Sequence, residues 1–211
     1  MIFRLDEHDL CFPSPALAEP DGLLAIGGDL RPERLLEAYR QGIFPWYSND
    51  TPILWYSPHE RFVLFPEELK ISKSMRQVLR SGRFTVTVDH AFDQVISACA
   101  VQPRVGQNGT WITADMQEAY MRLHALGHAH SVETWRNGKL VGGLYGVAVG
   151  GVFCGESMFS REANASKTAL AALCQSNTYR LIDCQVYTDH LATLGARMVS
   201  RAIYMSLLIQ T

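Results

Sequence analysis

The stretch SVETWRNGKLVGGLYGVAVGGVFCGESMFS, residues 131–160, decides the fold. The pair Asn137-Gly138 lies between two runs of strand-forming residues, which predicts a β-hairpin with a type I′ turn. Gly150-Gly151 then precedes a third run, VFCGESMF. The glycines interrupt the uncharged segment and it is too short to span a bilayer, so we expect buried antiparallel strands.

Helices are predicted on both sides of these strands. Upstream, after the strand-like RFTVTV, Asp89 and Thr113 are the expected N-caps of two helices. Downstream, Asn164 or Ser166 opens a third helix. A strand RLIDCQVY, a short helix HLATLG, a strand or turn ARMVSR and an apolar terminal stretch follow.

The order of these elements resembles that of the GNAT acyltransferase fold, and it predicts an α+β protein. Between Cys11 and Pro66 the chain is rich in Pro, Gly and Trp, and one short helix is expected, with Pro32 in its first turn. We therefore expect a small irregular N-terminal domain, residues 1–62, followed by a GNAT-like domain, residues 63–211.

Composition restricts the classes of function. The 211 residues carry a formal net charge of −2, so any RNA contact must come from a local basic patch. The five cysteines are scattered without a C-x-x-C pair, and His124, His128 and His130 straddle a predicted helix end, so no metal site is expected. The N-terminus resembles no signal peptide, which favours a cytoplasmic protein with no membrane contact.

One segment is basic. It has five cations at helical spacing with no acid among them: Lys70, Lys73, Arg76, Arg80 and Arg83. The pattern fits either a solvated helix face or a face that contacts phosphates, and five cations without an acid favour phosphates.

Three polar residues interrupt apolar strand runs. Glu156 lies in FCGESMFS, and Asp183 and Gln185 lie in LIDCQV. A buried carboxylate must be paired, hydrogen-bonded or neutralised, so each acid has a structural as well as a catalytic interpretation. On the predicted strand LIDCQV, Asp183 and Gln185 are two positions apart and therefore share one face, where they can hold an amine together.

Aromatic and apolar residues suggest a binding pocket. Trp46, Trp55 and Trp111 lie in loop-like phrases, where an indole ring can stack on a nucleobase, although a tryptophan more often fills a core. Four apolar residues fit either a side-chain pocket or an ordinary core: Leu144, Phe153, Met158 and Leu173.

Several long phrases together resemble the leucyl/phenylalanyl-tRNA-protein transferase family over nearly the whole chain. They include GLLAIGGDL, YRQGIFPWY, ILWYSPHERFVL, LVGGLYGVAVG, VFCGESMFS, NASKTAL and LIDCQV. The resemblance implies transfer of Leu or Phe from aminoacyl-tRNA to the N-terminal Lys or Arg of an acceptor protein, which creates an N-degron. It implies no cofactor.

The resemblance also implies residue roles. Trp46 and Trp111 would contact the terminal adenosine of the tRNA. Phe153, Glu156 and Met158 would belong to the amino-acid pocket and reaction centre. Asp183 and Gln185 would be the catalytic pair.

Two other functions compete with this one. A coenzyme-A-dependent N-acetyltransferase should carry Gln or Arg three positions before a glycine at a pyrophosphate-binding helix start, and no glycine here has that spacing. A non-catalytic tRNA-binding module would explain the basic segment and the tryptophans, but it leaves Glu156, Asp183 and Gln185 without a role.

Overall fold

The computed structural model describes residues 2–102 and 111–209. In that part of the chain, eleven strands form a four-stranded and a seven-stranded sheet. The strands of the small sheet are β1 Phe3–Leu5, β2 Leu23–Gly27, β3 Phe44–Pro45 and β4 Leu54–Tyr56. Those of the large sheet are β5 Glu60–Leu64, β6 Thr85–Val88, β7 Ala129–Arg136, β8 Lys139–Val149, β9 Val152–Ser160, β10 Leu181–Asp183 and β11 Arg197–Ser200.

Seven α-helices accompany the sheets within the described residues. They are α1 Pro32–Arg40, α2 Lys73–Arg80, α3 Phe92–Val101, α4 Ala114–Ala125, α5 Ala165–Gln175, α6 Asp189–Thr193 and α7 Arg201–Ile209. Helix α5 packs on β7 and β8, and α3 packs on β8 and β9. The mixed α+β class is confirmed. No helix of the described chain has the length and apolar character needed to cross a membrane.

The predicted hairpin forms the middle of the large sheet, whose order is β11-β5-β10-β9-β8-β7-β6. Asn137 and Gly138 both have positive φ, 49° and 72°, as a type I′ turn requires. Strand β8 pairs along nearly its whole length with β7 and with β9. Strand period and turn chemistry therefore determine this part of the fold.

The N-terminal region holds more regular structure than its composition predicts. Its strands are two to five residues long, too short for a period-2 pattern to be recognised between prolines and glycines. Trp55 lies on β4, fully buried, and its Nε1 donates a hydrogen bond to the Gly27 carbonyl at 2.9 Å. Trp55 is therefore a core residue and not an exposed stacking platform.

The two sheets share one hydrophobic core. Tyr39 and Trp55 from the N-terminal region belong to the same buried cluster as Tyr145 and Val152 from the large sheet. Strand β5, Glu60–Leu64, already pairs with β10 and β11. The division into domains between residues 62 and 63 stays a prediction, and β5 runs across it.

Strands β9 and β10 diverge, and this opens the sheet. They pair in parallel only where Val152–Cys154 faces Leu181–Asp183, although β9 continues to Ser160. The predicted strand through residue 187 ends at Asp183, because Gln185 has a left-handed φ of 56°. The expectation that Asp183 and Gln185 share one strand face is therefore wrong.

Other boundaries also differ from the prediction. Asp89 has a φ of 57° and does not cap α3, which follows Ala91 without a side-chain cap. The Asp89 carboxylate instead accepts hydrogen bonds from the Ser131 amide and from His130 Nδ1. The apolar C-terminal stretch forms α7. In contrast, Thr113 caps α4 as predicted.

Gly146 on β8 and Gly155 on β9 face each other, and substitutions of the two should differ in their effect on stability. A Cβ at Gly146 would lie 2.2 Å from the Cys154 carbonyl oxygen. For a Cβ at Gly155, the nearest atom would be the Asp183 carbonyl oxygen, at 3.6 Å. We expect Gly146→Ala to lower the free energy of unfolding by about 2 kcal/mol or more. Gly155→Ala should leave it unchanged or raise it by up to about 1 kcal/mol. Urea denaturation measures both, and equal losses would contradict this packing.

Candidate active site

A cavity of about 580 Å³ lies where β9 and β10 diverge. It brings together eight of the residues singled out in the sequence: Trp46, Trp111, Leu144, Phe153, Glu156, Met158, Leu173 and Gln185. They come from six separate stretches of the chain, so the fold assembles them. Asp183 does not line the cavity.

One wall of the cavity is apolar. Leu144 faces Met158 across the β8–β9 pair, and Leu170 and Leu173 reach the cavity from α5. Leu144, Leu170 and Leu173 are all at most 6% exposed. Leu170 was not predicted, although its i, i+3 spacing from Leu173 places both on one helix face. This wall suits an aliphatic or aromatic side chain.

Another wall is aromatic. Trp46 remains 37% exposed, and its ring centroid lies 5.9 Å from that of Tyr56 at a tilted angle. Trp111 is half-buried and packs against the core. Phe44 lines the cavity beside them. Such rings provide a surface on which a nucleobase can stack.

Glu156 and Gln185 form the polar part of the cavity. Gln185 Nε2 donates a hydrogen bond to Glu156 Oε1 at 2.9 Å. The Tyr39 hydroxyl donates to the same oxygen at 2.7 Å, and the Tyr120 hydroxyl donates to Oε2 at 3.2 Å. Since the amide nitrogen of Gln185 is committed to Glu156, its Oε1 is left as a hydrogen-bond acceptor for a ligand.

Tyr39 and Tyr120 are site residues that sequence reasoning missed. Both are fully buried, and their hydroxyl groups contact each other. Each occupies the apolar face of an amphipathic helix, α1 or α4, where a tyrosine looks like an ordinary core residue. Their role as hydrogen-bond donors to Glu156 becomes visible only in the structure, where both hydroxyl groups lie next to its carboxylate.

The surroundings of Glu156 raise the pKa of its carboxyl group toward neutral pH. Burial raises the pKa of this carboxyl group to about 7, the hydrogen bonds from Tyr39 and Tyr120 oppose the rise, and the Asp183 charge adds to it. No cation contacts the Glu156 carboxylate within the described residues. A group with this pKa can exchange a proton under physiological conditions.

Asp183 lies behind the cavity and is fully buried. Its two carboxylate oxygens accept hydrogen bonds from Arg61 Nε and Nη2, both at 2.8 Å. Oδ2 also accepts from the Tyr204 hydroxyl at 2.9 Å, and Oδ1 accepts from the Gln185 backbone N–H at 2.9 Å. The catalytic role assigned to Asp183 stays a prediction, but this carboxylate is saturated by protein donors.

The basic segment is only partly helical. Lys73, Arg76 and Arg80 lie on α2, are exposed, and make no ion pair within the described chain. Lys70 precedes the helix, and Arg83 follows it and pairs with Glu162 at 3.0 Å. Arg83 therefore does have an acidic partner, from a distant part of the sequence.

The cysteines and histidines have structural surroundings. Burial and the Asp183 charge raise the pKa of the Cys154 thiol well above its usual value, which disfavours the thiolate. His124 stacks on Phe92 at 4.3 Å between centroids, whereas His130 contacts Asp89. In residues 2–102 and 111–209, no group of three or more His, Cys, Asp or Glu side chains is arranged so that it could hold a metal ion.

Two solved structures that this chain resembles are distant from it in sequence. A GCN5-related N-acetyltransferase from Kribbella flavida matches with a TM-score of 0.41 and 11% identity, over 75% of this chain and 57% of that one. L-PGS from Bacillus licheniformis matches with a TM-score of 0.37 and 14% identity, over 81% and 57% of the two chains.

Sequence comparison is far more specific. The profile described as leucyl/phenylalanyl-tRNA protein transferase matches residues 63–209, and the profile of its N-terminal domain matches residues 28–59. The transferase of that name from Syntrophus aciditrophicus is 61% identical over 94% of this chain and 84% of its own length. Those from Syntrophobacter fumaroxidans and Shigella dysenteriae are 59% and 55% identical, each over 99% of this chain and 90% of their own length.

The protein is thus an enzyme of the transferase class, with a mixed α/β fold and a cavity between two diverging strands. It belongs to the leucyl/phenylalanyl-tRNA-protein transferase family.

The raised pKa of Glu156 predicts a pH-dependent stability. Between the ordinary pKa of 4.5 and the folded value of about 7, the folded state holds a proton that the unfolded state has released. Stability from this group is complete below the lower value and is lost as the pH rises toward the higher one. From pH 5 to pH 8, the unfolding free energy of the wild type should fall by about 2 to 3 kcal/mol relative to Glu156→Gln. Parallel pH profiles of the two proteins would contradict this assignment.

Proposed function

We propose that the enzyme transfers Leu or Phe from aminoacyl-tRNA to the α-amine of a protein that begins with Lys or Arg, and that the product carries an N-degron. The reaction would take place in the cytoplasm. The observation that carries the proposal is the single cavity in which an apolar wall, two tryptophans and the Glu156–Gln185 pair meet.

In this proposal, an aminoacyl-adenosine occupies the cavity with its adenine and its amino-acid side chain on different walls. The adenine would stack at Trp46 and Trp111, and the leucine or phenylalanine side chain would occupy the wall formed by Leu144, Phe153, Met158 and Leu173. The ester then lies between these walls, where β9 and β10 separate and Gln185 lines the cavity. The aminoacyl ester is already activated, so the protein has mainly to orient it and the amine.

Gln185 and Glu156 would hold the attacking amine. The free Oε1 of Gln185 accepts a hydrogen bond from the amine, which leaves the lone pair of the amine nitrogen directed at the ester carbonyl. A C–N bond forms, the bond from the carbonyl carbon to the ribose oxygen breaks, and that oxygen takes up the proton which the amine releases. Glu156, when ionised, favours the positive charge that develops on the amine.

The basic helix is the proposed contact for the body of the tRNA. Lys73, Arg76 and Arg80 are free to neutralise phosphates, and Lys70 extends the patch. Arg83 contributes less, because Glu162 already pairs with it. A protein with an overall charge of −2 needs such a local patch to attract tRNA.

An aminoacyl-transfer assay tests the function. Labelled leucine or phenylalanine on charged tRNA is supplied with a peptide that begins with Arg, and the same peptide beginning with Ala is the control. We expect transfer to the Arg peptide only. A parallel reaction with acetyl-coenzyme A should give no acetylation. Acetylation without aminoacyl transfer would favour the acetyltransferase alternative, and tRNA binding without either reaction would favour the binding module.

Charge reversal tests the basic helix. Arg76→Glu with Arg80→Glu should weaken tRNA binding at least tenfold in 100 mM salt, and it should reduce the slope of log K against log salt by about two. The matched control reverses Arg4 and Arg122, two exposed cations on β1 and α4. It changes the net charge equally but should have a smaller effect. Equal losses would mean that only net charge matters.

A further inference from the structure

Gln185 has an uncommon backbone conformation. Its φ of 56° lies in the left-handed region, which residues with a Cβ adopt rarely and only where their surroundings enforce it. Its backbone N–H donates to Asp183 Oδ1 at 2.9 Å, and its carbonyl accepts from the Phe62 amide at 3.3 Å. The direction of the Gln185 side chain therefore depends on the position of the Asp183 carboxylate.

Side chains from two other elements hydrogen-bond to the Asp183 carboxylate. Arg61 on β5 donates to both oxygens, and Tyr204 on α7 donates to Oδ2. All three side chains are at most 2% exposed. Each oxygen thus has two donors, which leaves the carboxylate no alternative rotamer with equal hydrogen bonding.

Arg61 has further contacts. Its guanidinium lies 4.6 Å from the centroid of Phe44 and 4.7 Å from that of Tyr204, and Nη1 donates to the Gly42 carbonyl at 3.2 Å. A change of Arg61 would therefore disturb several contacts at once. Tyr204→Phe is the sharper probe, because it keeps the ring that packs on Arg61 and removes only the hydroxyl group.

We propose that Tyr204 and Arg61 are positioning residues for aminoacyl transfer, which act on Gln185 through the Asp183 carboxylate. The inference rests on the proposed function. Neither residue lines the cavity, so neither would contact the substrate. Helix α7, which the sequence presents only as an apolar terminal stretch, becomes a support of the reaction centre.

The first experiment measures steady-state transfer by Tyr204→Phe. We expect kcat to fall at least fivefold, while the KM for aminoacyl-tRNA changes less than twofold, because the tryptophans, the apolar wall and the basic helix that would bind it are unchanged. Arg180→Lys is the matched control, since Arg180 hydrogen-bonds the Leu207 carbonyl on α7 but does not touch Asp183. The control should keep kcat within twofold of the wild type. An unchanged kcat in Tyr204→Phe, or an equal loss in the control, would overturn the inference.

A double-mutant cycle separates positioning from general destabilisation. If Tyr204 acts through Gln185, Tyr204→Phe should have no further effect on the residual rate of Gln185→Ala. If Tyr204→Phe folds poorly, Arg61→Lys replaces it in the cycle and is combined with Gln185→Ala in the same way. Multiplicative losses would overturn the inference and leave the proposed function intact. A wild-type protein without transfer activity would overturn both.

Discussion

The buried ion pair between Arg61 and Asp183 is the interaction on which the rest of the site depends. Taking both charges out of water costs several kcal/mol, which is recovered only if every donor and acceptor is well placed. Burial lowers the pKa of the Arg61 guanidinium, but the charge of Asp183, its hydrogen bonds to Arg61 and the nearby Tyr204 together outweigh burial, and the net shift is upward. The pair joins β5 to the end of β10, and through Gly42 and Tyr204 it also joins the N-terminal region and α7. One contact therefore sets the positions of four parts of the chain.

This contact explains why two buried acids differ. Asp183 has a cation on its carboxylate, whereas Glu156 has only neutral donors, from Tyr39, Tyr120 and Gln185. Burial among neutral donors raises the pKa of Glu156, whereas the Asp183 carboxylate has the Arg61 guanidinium as its partner. The acid that contacts the side chain of Gln185 is therefore Glu156, and Asp183 contacts only its backbone. Of the predicted pair, Gln185 lines the cavity, whereas Asp183 lies behind it.

Much of the large sheet followed from local sequence. The Asn137-Gly138 turn, the β7–β9 meander and the helices α4 and α5 each carry a strong turn, cap or period signal. The local predictions fail where a side chain or backbone group hydrogen-bonds outside its own predicted element. Asp89 looks like a helix cap, but its carboxylate accepts hydrogen bonds from the Ser131 amide and from His130 instead. Gln185 looks like a strand residue, but Asp183 and the Phe62 amide fix it in a left-handed conformation.

The sequence by itself determined the family, the class of fold and eight of the residues that line the cavity, because these depend on residue types and on spacings of a few positions. It could not decide which surface each residue faces. The tertiary structure alone decided that β9 and β10 diverge beyond Asp183, that Tyr39 and Tyr120 meet Glu156, and that Arg61 neutralises Asp183. The partners in these contacts lie 36 to 122 positions apart in the chain, and no local pattern records pairings over such separations.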